Sequence, residues 1–262
     1  MRLVKAKIVS NKKVAAGRFK IRLAAPSISK AAEPGQFVMV KCSDGLDPLL
    51  RRPFSFHRIE RGFFELLYQV IGRGTAALSE RKKGERLDVI GPLGNGFDAL
   101  SAKRYPLNAI LVAGGIGVAP LLALAERLAH SVERIAFSIF IGARNKEHLL
   151  CEKDFKKLGA RLYVAAEDGS KGYKGLVTDL LKKELYAKRS TLNAKVYACG
   201  PRDMLKAVAD IARLKHFPCE VSLEEKMACG IGACLGCAVK TLIGHKMVCK
   251  DGPVFNAGDI IW

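Results

Sequence analysis

Residues 108–120 read NAILVAGGIGVAP, and this stretch decides the fold of the middle of the chain. Ile110 to Ala113 is an apolar run typical of a buried strand, and Val118 to Ala129 has helical spacing with Pro120 in its first turn. Between them lies a turn made of Gly114, Gly115, Ile116 and Gly117. Because glycines allow close backbone approach and a helix N-terminus attracts anions, this order of elements indicates a phosphate-binding site. The turn lacks the full G-x-G-x-x-G spacing and does not identify the nucleotide.

The segments that follow alternate between strands and helices. Strands are predicted at Ile135 to Ile141, Arg161 to Ala165 and Lys195 to Ala198, and Arg202 to Lys215 is an amphipathic helix. This alternation is typical of an α/β domain with a parallel sheet. A second turn, Cys199, Gly200 and Pro201, follows the last of these strands, and two turns at the ends of parallel strands converge on one crevice. Cys199 is either a packed small residue or a group that faces the bound ligand.

The first hundred residues have a different pattern. Short alternating segments run from Val4 to Val9, Phe19 to Leu23, Phe37 to Val40 and Phe63 to Val70. That spacing predicts a small antiparallel β barrel or sandwich. Beyond Pro218 the pattern becomes a tail rich in glycine and cysteine. We therefore expect a β barrel plus an α/β domain, followed by a small C-terminal metal domain, with boundaries at residues 1–102, 103–216 and 217–262.

Four of the eight cysteines lie in this tail, as Cys229, Cys234, Cys237 and Cys249. The spacing C-x4-C-x2-C with a distant fourth cysteine is typical of a [2Fe–2S] cluster of the plant-ferredoxin type, whereas zinc sites usually pair their ligands as two short units. Gly230, Gly232 and Gly236 let the backbone bend and turn N–H groups toward sulfur. We predict the cluster, with a structural zinc as the alternative. The remaining residues Cys42, Cys151 and Cys219 are interpreted as buried small hydrophobes.

The composition of the 262 residues restricts the functional class. The formal net charge is +19, but Lys and Arg are spread through nearly every segment without an interleaved aromatic patch, which argues against nucleic acid as the partner. No apolar run reaches the roughly 18–20 residues of a membrane span, and the N-terminus lacks the core of a signal peptide. We therefore expect a cytoplasmic protein. The histidines show no ligand spacing and are interpreted as surface or core residues, namely His57, His130, His148, His216 and His245.

Two signals in the barrel region suit a bound FAD. The run from Arg51 to Ser55 starts a predicted strand that can offer a guanidinium to a phosphate and a hydroxyl to the flavin edge. Gly74 and Thr75 open a predicted helix, Thr75 to Glu80, whose free N–H groups can receive a pyrophosphate. Each signal alone is weak, and the two together do not name the cofactor.

In this order and spacing, the motifs resemble the ferredoxin–NADP reductase superfamily. Within it, the whole chain resembles the family of electron-transfer subunits of class 1B dihydroorotate dehydrogenase, which carry the cysteine domain that simple reductases lack. The markers are Arg52-Pro53-x-Ser55, Gly74-Thr75, Gly114-Gly115-x-Gly117-x-Ala119-Pro120, Cys199-Gly200-Pro201 and the four tail cysteines. The resemblance implies an antiparallel FAD-binding barrel, a parallel-sheet NAD-binding domain and a C-terminal [2Fe–2S] domain.

The resemblance also suggests which residues bind the cofactors. The FAD residues are Arg52, Pro53, Phe54, Ser55, Leu67, Tyr68, Gln69, Gly74 and Thr75. The NAD residues are Gly114, Gly115, Ile116, Gly117, Asp168, Cys199, Gly200 and Pro201. The cluster ligands are the four tail cysteines. Two positions depart from the superfamily, since Phe54 replaces a tyrosine and the terminal Trp262 follows the cluster domain. We interpret Trp262 as a packing residue, not as an aromatic lid on the flavin.

The choice of NAD over NADP has a physical argument. Glu167 and Asp168 follow the strand Arg161 to Ala165, where NADP-using relatives place Ser and Arg for the 2′-phosphate. Carboxylates repel a phosphate but accept hydrogen bonds from ribose hydroxyls, so NAD is favoured. Arg144 and Lys146, at the end of the neighbouring strand, weaken this argument.

The resemblance implies a relay without a general acid or base. NADH gives a hydride to FAD, and the cluster passes single electrons to the FMN of a catalytic dihydroorotate dehydrogenase subunit. Net flow then runs from dihydroorotate to NAD in pyrimidine biosynthesis, in a heterotetramer of two copies of each chain. One alternative is the flavin and [2Fe–2S] subunit of a bifurcating transhydrogenase, a hydrogenase or a sulfur reductase. The transhydrogenase relatives replace one cluster cysteine with Asp, so four cysteines favour the first function. The other alternative is a basic zinc-binding nucleic-acid protein.

Overall fold

The computed structural model describes residues 1–98, 108–131, 136–187 and 194–262. The predicted boundary at residues 102 and 103, and the first residue of the strand expected at Ile135 to Ile141, lie outside these ranges. Within the described ranges, no helix combines the length and apolar character that a membrane span requires.

The N-terminal part forms a closed six-stranded barrel in which all neighbouring strands are antiparallel. The strands are β1 (Arg2–Ala15), β2 (Arg18–Ala24), β3 (Phe37–Lys41), β4 (Arg52–Glu60), β5 (Phe63–Gln69) and β6 (Arg86–Leu93), in the order β1-β2-β5-β4-β3-β6. Helices α1 (Pro26–Ser29) and α2 (Arg73–Glu80) lie in the connections. Alternate side chains such as Ile21, Leu23 and Phe64 fill the interior, as the period-two pattern predicts. The predicted barrel is confirmed.

The middle of the chain forms a sheet with helices packed against it. Its strands are β7 (Asn108–Gly114), β8 (Ala136–Ala143), β9 (Arg161–Ala166), β10 (Tyr173–Lys174) and β11 (Ala194–Cys199), all parallel to their neighbours. The helices are α3 (Val118–Ala129), α4 (Glu152–Lys157), α5 (Val177–Ala187) and α6 (Arg202–Leu214). Buried apolar side chains of α3, including Leu121 and Leu124, pack into the core of this region. The predicted parallel sheet is confirmed.

The cysteine-rich tail contributes more regular structure than its sequence pattern indicates. Strand β12 (Cys219–Ser222) pairs parallel to β11, and β15 (Val254–Asn256) pairs antiparallel to β12, so the sheet order is β10-β9-β8-β7-β11-β12-β15. Between them, β13 (Ala238–Thr241) and β14 (Gly244–Met247) form a separate hairpin. Both added sheet strands have four residues or fewer, which is too short for a recognisable hydrophobic period. The proposed boundary at residues 216 and 217 stays a prediction.

Candidate functional site

A cleft of about 710 Å³ opens where the parallel sheet faces the barrel. Its floor is built by the carboxyl ends of β7, β8 and β11, and Gln69 at the end of β5 supplies part of the barrel wall. Because β8 and β11 flank β7 on opposite sides, the chain leaves the central strand at a topological switch point. Open α/β sheets bind their ligands at such points. The cleft is therefore the candidate nucleotide site.

The two predicted glycine turns meet in this cleft. Gly114 to Gly117, together with Gly200 and Pro201, line it. A Cβ atom on Gly117 would overlap the carbonyl oxygen of Cys199, and one on Gly200 would lie 2.9 Å from the backbone nitrogen of Gly114. Glycine is needed at these positions because the two backbones touch. The turns therefore converge on one crevice, as the sequence predicts, and α3 begins there without a side-chain cap on its N–H groups.

Cys199 lies behind the cleft and not in it. Its side chain is 1 % exposed and packs in the core beside Tyr197 and Val118. Burial raises the pKa of the Cys199 thiol, and the nearby Glu224 carboxylate raises it further, against a hydrogen bond with Ser222. The sequence left two interpretations of Cys199 open, and this packing supports the one in which it is a small structural residue.

The far end of the cleft carries polar groups that can meet the adenosine half of a dinucleotide. Arg144, His148 and Glu167 line it. Asp168 does not line it, because its Oδ1 accepts the backbone N–H of Ser170 at 2.9 Å, and this bond together with the Ser170 side chain lowers the pKa of the Asp168 carboxyl. Of the two acidic residues predicted to select NAD, the structure therefore brings Glu167 to the ligand surface.

The predicted FAD residues form a second set on the barrel. Arg52 lies against the start of α2, where a Cβ atom on Gly74 would sit 2.9 Å from the Arg52 Nε. The hydroxyl of Thr75 accepts the backbone N–H groups of Ile71 and Gly72 at 3.0 and 3.2 Å. A guanidinium beside a glycine in the first turn of a helix suits a pyrophosphate, so these residues fit FAD.

Two residues of this set point into the barrel. Phe54 and Tyr68 are buried with their ring centroids 5.7 Å apart, and the Tyr68 hydroxyl donates to Asn11 at 3.0 Å. Their side chains belong to the buried core of the barrel. Leu67 and Gln69 alternate to the outer face, toward the sheet domain.

The four tail cysteines lie together in one loop region. The thiol of Cys229 interacts with that of Cys234, and the thiol of Cys249 interacts with those of Cys237 and Cys229. Throughout the described ranges, no three His, Cys, Asp or Glu side chains converge on one metal position. A [2Fe–2S] cluster needs two thiolates on each of two irons, whereas a zinc ion needs four ligands around one centre. Four neighbouring thiols with the spacing C-x4-C-x2-C fit the cluster.

Backbone N–H groups surround the sulfur atoms. Ile231 and Ala233 donate to the Cys229 sulfur at 3.4 and 3.3 Å, and Gly232 donates to the Cys249 sulfur at 3.1 Å. Burial raises the pKa of Cys229, but these donors and Cys234 lower it to about 6. Burial and Cys237 instead raise the pKa of Cys249. Iron binds the thiolate, so the N–H groups prepare the loop for a negatively charged sulfur set.

The cluster loop rests directly on the barrel. Gly230 has φ +73°, and a Cβ atom there would overlap the side chain of Met39. Met39 is fully buried on β3, opposite Pro53 of β4. The cluster loop thus contacts β3, the strand that pairs with the strand carrying predicted FAD residues.

Several cleft residues escaped the sequence analysis, and three of them carry titratable side chains. These are Arg18, His148 and Glu224, which all line the cleft. Burial of the Glu224 carboxylate raises its pKa. Arg18 and Glu224 lie far from any glycine motif in sequence, and His148 has no ligand spacing. No local signal separates them from ordinary surface residues.

Comparisons with known proteins agree with this geometry. The family model for the iron-sulfur cluster binding domain of dihydroorotate dehydrogenase B matches residues 224–261, and the model for the oxidoreductase NAD-binding domain matches residues 111–210. The chain is 40 % identical, over 98 % of its length and 97 % of the relative, to the dihydroorotate dehydrogenase B (NAD(+)) electron transfer subunit of Desulforamulus reducens. It is 39 % identical to the protein of that name from Fusobacterium nucleatum, over 99 % of both chains.

Solved structures give the same fold. The structure of an NADH-dependent reduced ferredoxin-NADP oxidoreductase, from work on flavin-based electron bifurcation, superposes with a TM-score of 0.84 at 33 % identity, covering 99 % of this chain and 90 % of that one. A ferredoxin NADP+ reductase from Neisseria gonorrhoeae superposes with a TM-score of 0.68 at 18 % identity, covering 82 % and 92 %. The chain belongs to the family of electron transfer subunits of dihydroorotate dehydrogenase B (NAD(+)), within the ferredoxin–NADP reductase fold.

Proposed function

We propose that this chain transfers electrons between NAD(H), FAD, a [2Fe–2S] cluster and the FMN of a dihydroorotate dehydrogenase catalytic subunit, in pyrimidine biosynthesis. The observation that carries the proposal is that the four tail cysteines, Cys229, Cys234, Cys237 and Cys249, lie together in the segment that matches the family's iron-sulfur domain. A dinucleotide cleft on the same barrel supplies the other end of an electron path.

The chain's own residues bind and orient the cofactors. When bound, FAD exchanges a hydride with NAD(H) and single electrons with the cluster, which carries one at a time. The Gly114 to Gly117 turn and Gly200 let a dinucleotide approach the backbone, and Arg52 beside Gly74 holds a pyrophosphate on the barrel. No side chain in the cleft needs to act as a general acid or base for this chemistry.

The surface around the cluster loop supports delivery to a second protein. Cys234 is exposed, and the apolar side chains Ile231 and Leu235 beside it are 47 % and 65 % exposed. Leu242 and Ile243 in the β13–β14 turn are exposed as well. Exposed apolar groups beside a redox centre suit a protein partner. That partner is the catalytic subunit, and we propose two copies of each chain in the complex and a cytoplasmic location.

Co-purification tests the proposal. The chain is expressed with the dihydroorotate dehydrogenase catalytic subunit of the same organism, and a tag on this chain captures the complex. We expect flavin and [2Fe–2S] absorbance bands, both FAD and FMN after acid extraction, orotate formation from dihydroorotate with NAD, and a mass of two copies of each chain. A colourless, zinc-loaded protein would contradict the redox function. A coloured protein that binds no catalytic subunit would contradict the partner.

One other function has a specific observation in its favour. The bifurcating oxidoreductase structure covers nearly the whole chain at a TM-score of 0.84, so the same architecture serves that chemistry. The identities of about 40 % to dihydroorotate dehydrogenase subunits, against 33 % to that protein, favour the first function. Capturing this chain's partner from its native cells separates the two, because the partner is an FMN enzyme only in the first case.

A further inference from the structure

Arg18 carries a buried charge without a counter-charge in the described part of the chain. The residue is 7 % exposed, and its Nη1 donates to the carbonyl oxygen of Ala16 at 3.1 Å. Its Nε is sealed from solvent and makes no hydrogen bond. Neighbouring cations on the same strand are paired, since Lys20 contacts Glu65 at 3.2 Å and Arg22 contacts Glu60. Arg18 makes no such ion pair with a described residue.

An unpaired guanidinium in this position is costly for the protein alone. Charged side chains are almost never buried without a partner, because the interior replaces water poorly as a solvent for charge. Burial lowers the pKa of Arg18 from its usual value, as expected for a desolvated cation, although arginine stays protonated at neutral pH. We therefore expect the buried charge of Arg18 to be compensated by an anionic group of a bound ligand.

The surroundings identify the ligand surface that Arg18 serves. Arg18 is paired in register with Gln69 across β2 and β5, and both residues line the nucleotide cleft. They form its barrel wall, and the Gly115 to Gly117 turn forms the sheet wall. His148 lines the same cleft, and its Nδ1 is also buried without a hydrogen bond. Arg18 and His148 come from different domains, and each leaves one buried nitrogen without a hydrogen bond in the same cleft.

We propose that Arg18 binds the pyrophosphate of the nicotinamide dinucleotide, from the barrel wall of the cleft and across from the glycine turn. The inference rests on the proposed function, in that NAD(H) is the ligand of the cleft. A guanidinium fork matches two phosphate oxygens, and the uncapped N-terminus of α3 contributes N–H groups from the other wall. The dinucleotide is then clamped between the two domains, which brings its reactive ring toward the barrel.

Three carboxylates share the cleft and are the competing partners for Arg18. Glu167, Asp203 and Glu224 line it, and among the described residues none of them forms an ion pair with the Arg18 guanidinium. Their negative charge makes the cleft unfavourable for a phosphate without a cation. Arg144, which also lines the cleft, supplies a second cation near Glu167 and the ribose end.

Ligand binding to the FAD- and cluster-loaded protein tests the proposal. Titration calorimetry compares NAD+, ADP-ribose and adenosine, of which only the first two contain a pyrophosphate. In R18Q we expect the Kd of NAD+ and of ADP-ribose to rise about 10- to 100-fold, while the Kd of adenosine changes less than about twofold. FAD content per protein stays at the wild-type value. The unliganded R18Q protein unfolds at the same or a higher temperature, since an uncompensated buried charge is removed.

Two further variants control the result. K20Q removes the same charge two residues along the strand, outside the cleft, and should change ADP-ribose affinity less than about threefold. R18K keeps the charge without the fork and should lose about fivefold in ADP-ribose affinity. If R18Q does not fold, R18K decides the question, since unchanged ADP-ribose binding there contradicts the proposal.

Other outcomes also separate the possibilities. An R18Q protein that binds ADP-ribose like wild type overturns the proposal, and so does one that loses FAD while its ADP-ribose affinity stays intact, because the anion would then be the flavin's. An equal loss of adenosine affinity overturns it too, since the effect would not depend on phosphate. Failure of the proposed function is recognised separately, by wild-type protein that holds no flavin or forms no orotate.

Discussion

The barrel contacts the rest of the chain at two interfaces that differ in the charged groups they contain. Toward the parallel sheet, Leu67 packs in the apolar core of α3 and charged groups surround it, because the His57 Nδ1 lies 3.3 Å from the Ala119 carbonyl oxygen and Arg58 reaches Glu126 and Asp154 at 3.3 and 2.6 Å. Toward the cluster segment the contact is close backbone packing with neutral hydrogen bonds. There Gly230 lies on Met39, Gly94 lies on the backbone of Gly252, and Asn95 donates to the Asp251 carbonyl oxygen at 2.9 Å.

The difference matches what each interface has to hold. The cleft receives a dinucleotide that enters and leaves, and ion pairs at partly exposed side chains tolerate small shifts between the domains. The cluster is a resident group whose distance from the flavin must stay fixed, because electron transfer falls steeply with distance. Close backbone packing fixes such a distance, since interiors at this density do not deform continuously. Electrostatic changes should therefore affect the cleft interface, and changes of volume should affect the cluster interface.

Removal of one cluster ligand is the largest expected effect. In C249A the second iron loses one of its two thiolates, so we expect loss of the [2Fe–2S] absorbance and its electron paramagnetic resonance signal. FAD content and ADP-ribose affinity should stay within about twofold of wild type, because the two interfaces are separate. C219A, at a buried cysteine in β12, is the matched control and should keep the cluster. A full cluster in C249A would remove it from the ligand set.

Adding a methyl group at the cluster interface should have the next largest effect. G230A forces a Cβ atom into Met39 at a positive φ, and overpacking of this kind costs about 1–3 kcal/mol in the free energy of unfolding. We expect lower unfolding stability and reduced iron content. G236A is the control, because its Cβ atom would lie at an ordinary 3.6 Å from the Cys234 sulfur. The double variant G230A/M39A should recover part of the loss, and no recovery would show that the clash is not the cause.

A charge change in the cleft comes third. Glu167 lines the cleft and Asp168 does not, so E167Q should improve NADPH relative to NADH by about tenfold, or about 1.4 kcal/mol. D168N should change the ratio less than about twofold. The measurement is anaerobic reduction of the bound flavin by each nucleotide. Wild-type protein that uses both nucleotides at equal rates would refute the argument for NAD.

A pH change at the charged interface has an effect of similar size to the charge change in the cleft and comes last. Burial lowers the pKa of His57 to about 3, against about 6.5 in the unfolded chain. As pH falls below about 6.5 the unfolded chain takes up this proton first, so stability present above that pH is lost toward pH 3. Between about pH 7.5 and about pH 5.5, His57 lowers the free energy of unfolding by about 1.4 kcal/mol. In urea unfolding, H57Q should not show this loss of stability at low pH. Identical pH dependence in H57Q and wild type would exclude His57 as the cause.

Much of the fold could be predicted because its signals are local. The barrel strands have a period of two, the helix α3 begins at Val118 as expected, and Gly114 to Gly117 follow a strand of continuous apolar residues. The strands β12 and β15 could not be predicted, since three or four residues carry no period and their pairing depends on distant partners.

The site divides in the same way. The sequence by itself predicted the four cluster cysteines and the two glycine turns, because these depend on spacing along a short stretch of backbone. Only the tertiary structure decided that Glu167 and not Asp168 meets the cleft, that Cys199 lies behind it, and that Arg18 lines the same cleft as the glycine turn. These facts depend on which face of an element meets which neighbour. That choice is made by the packing of whole domains, where a one-residue change of register reverses every side chain.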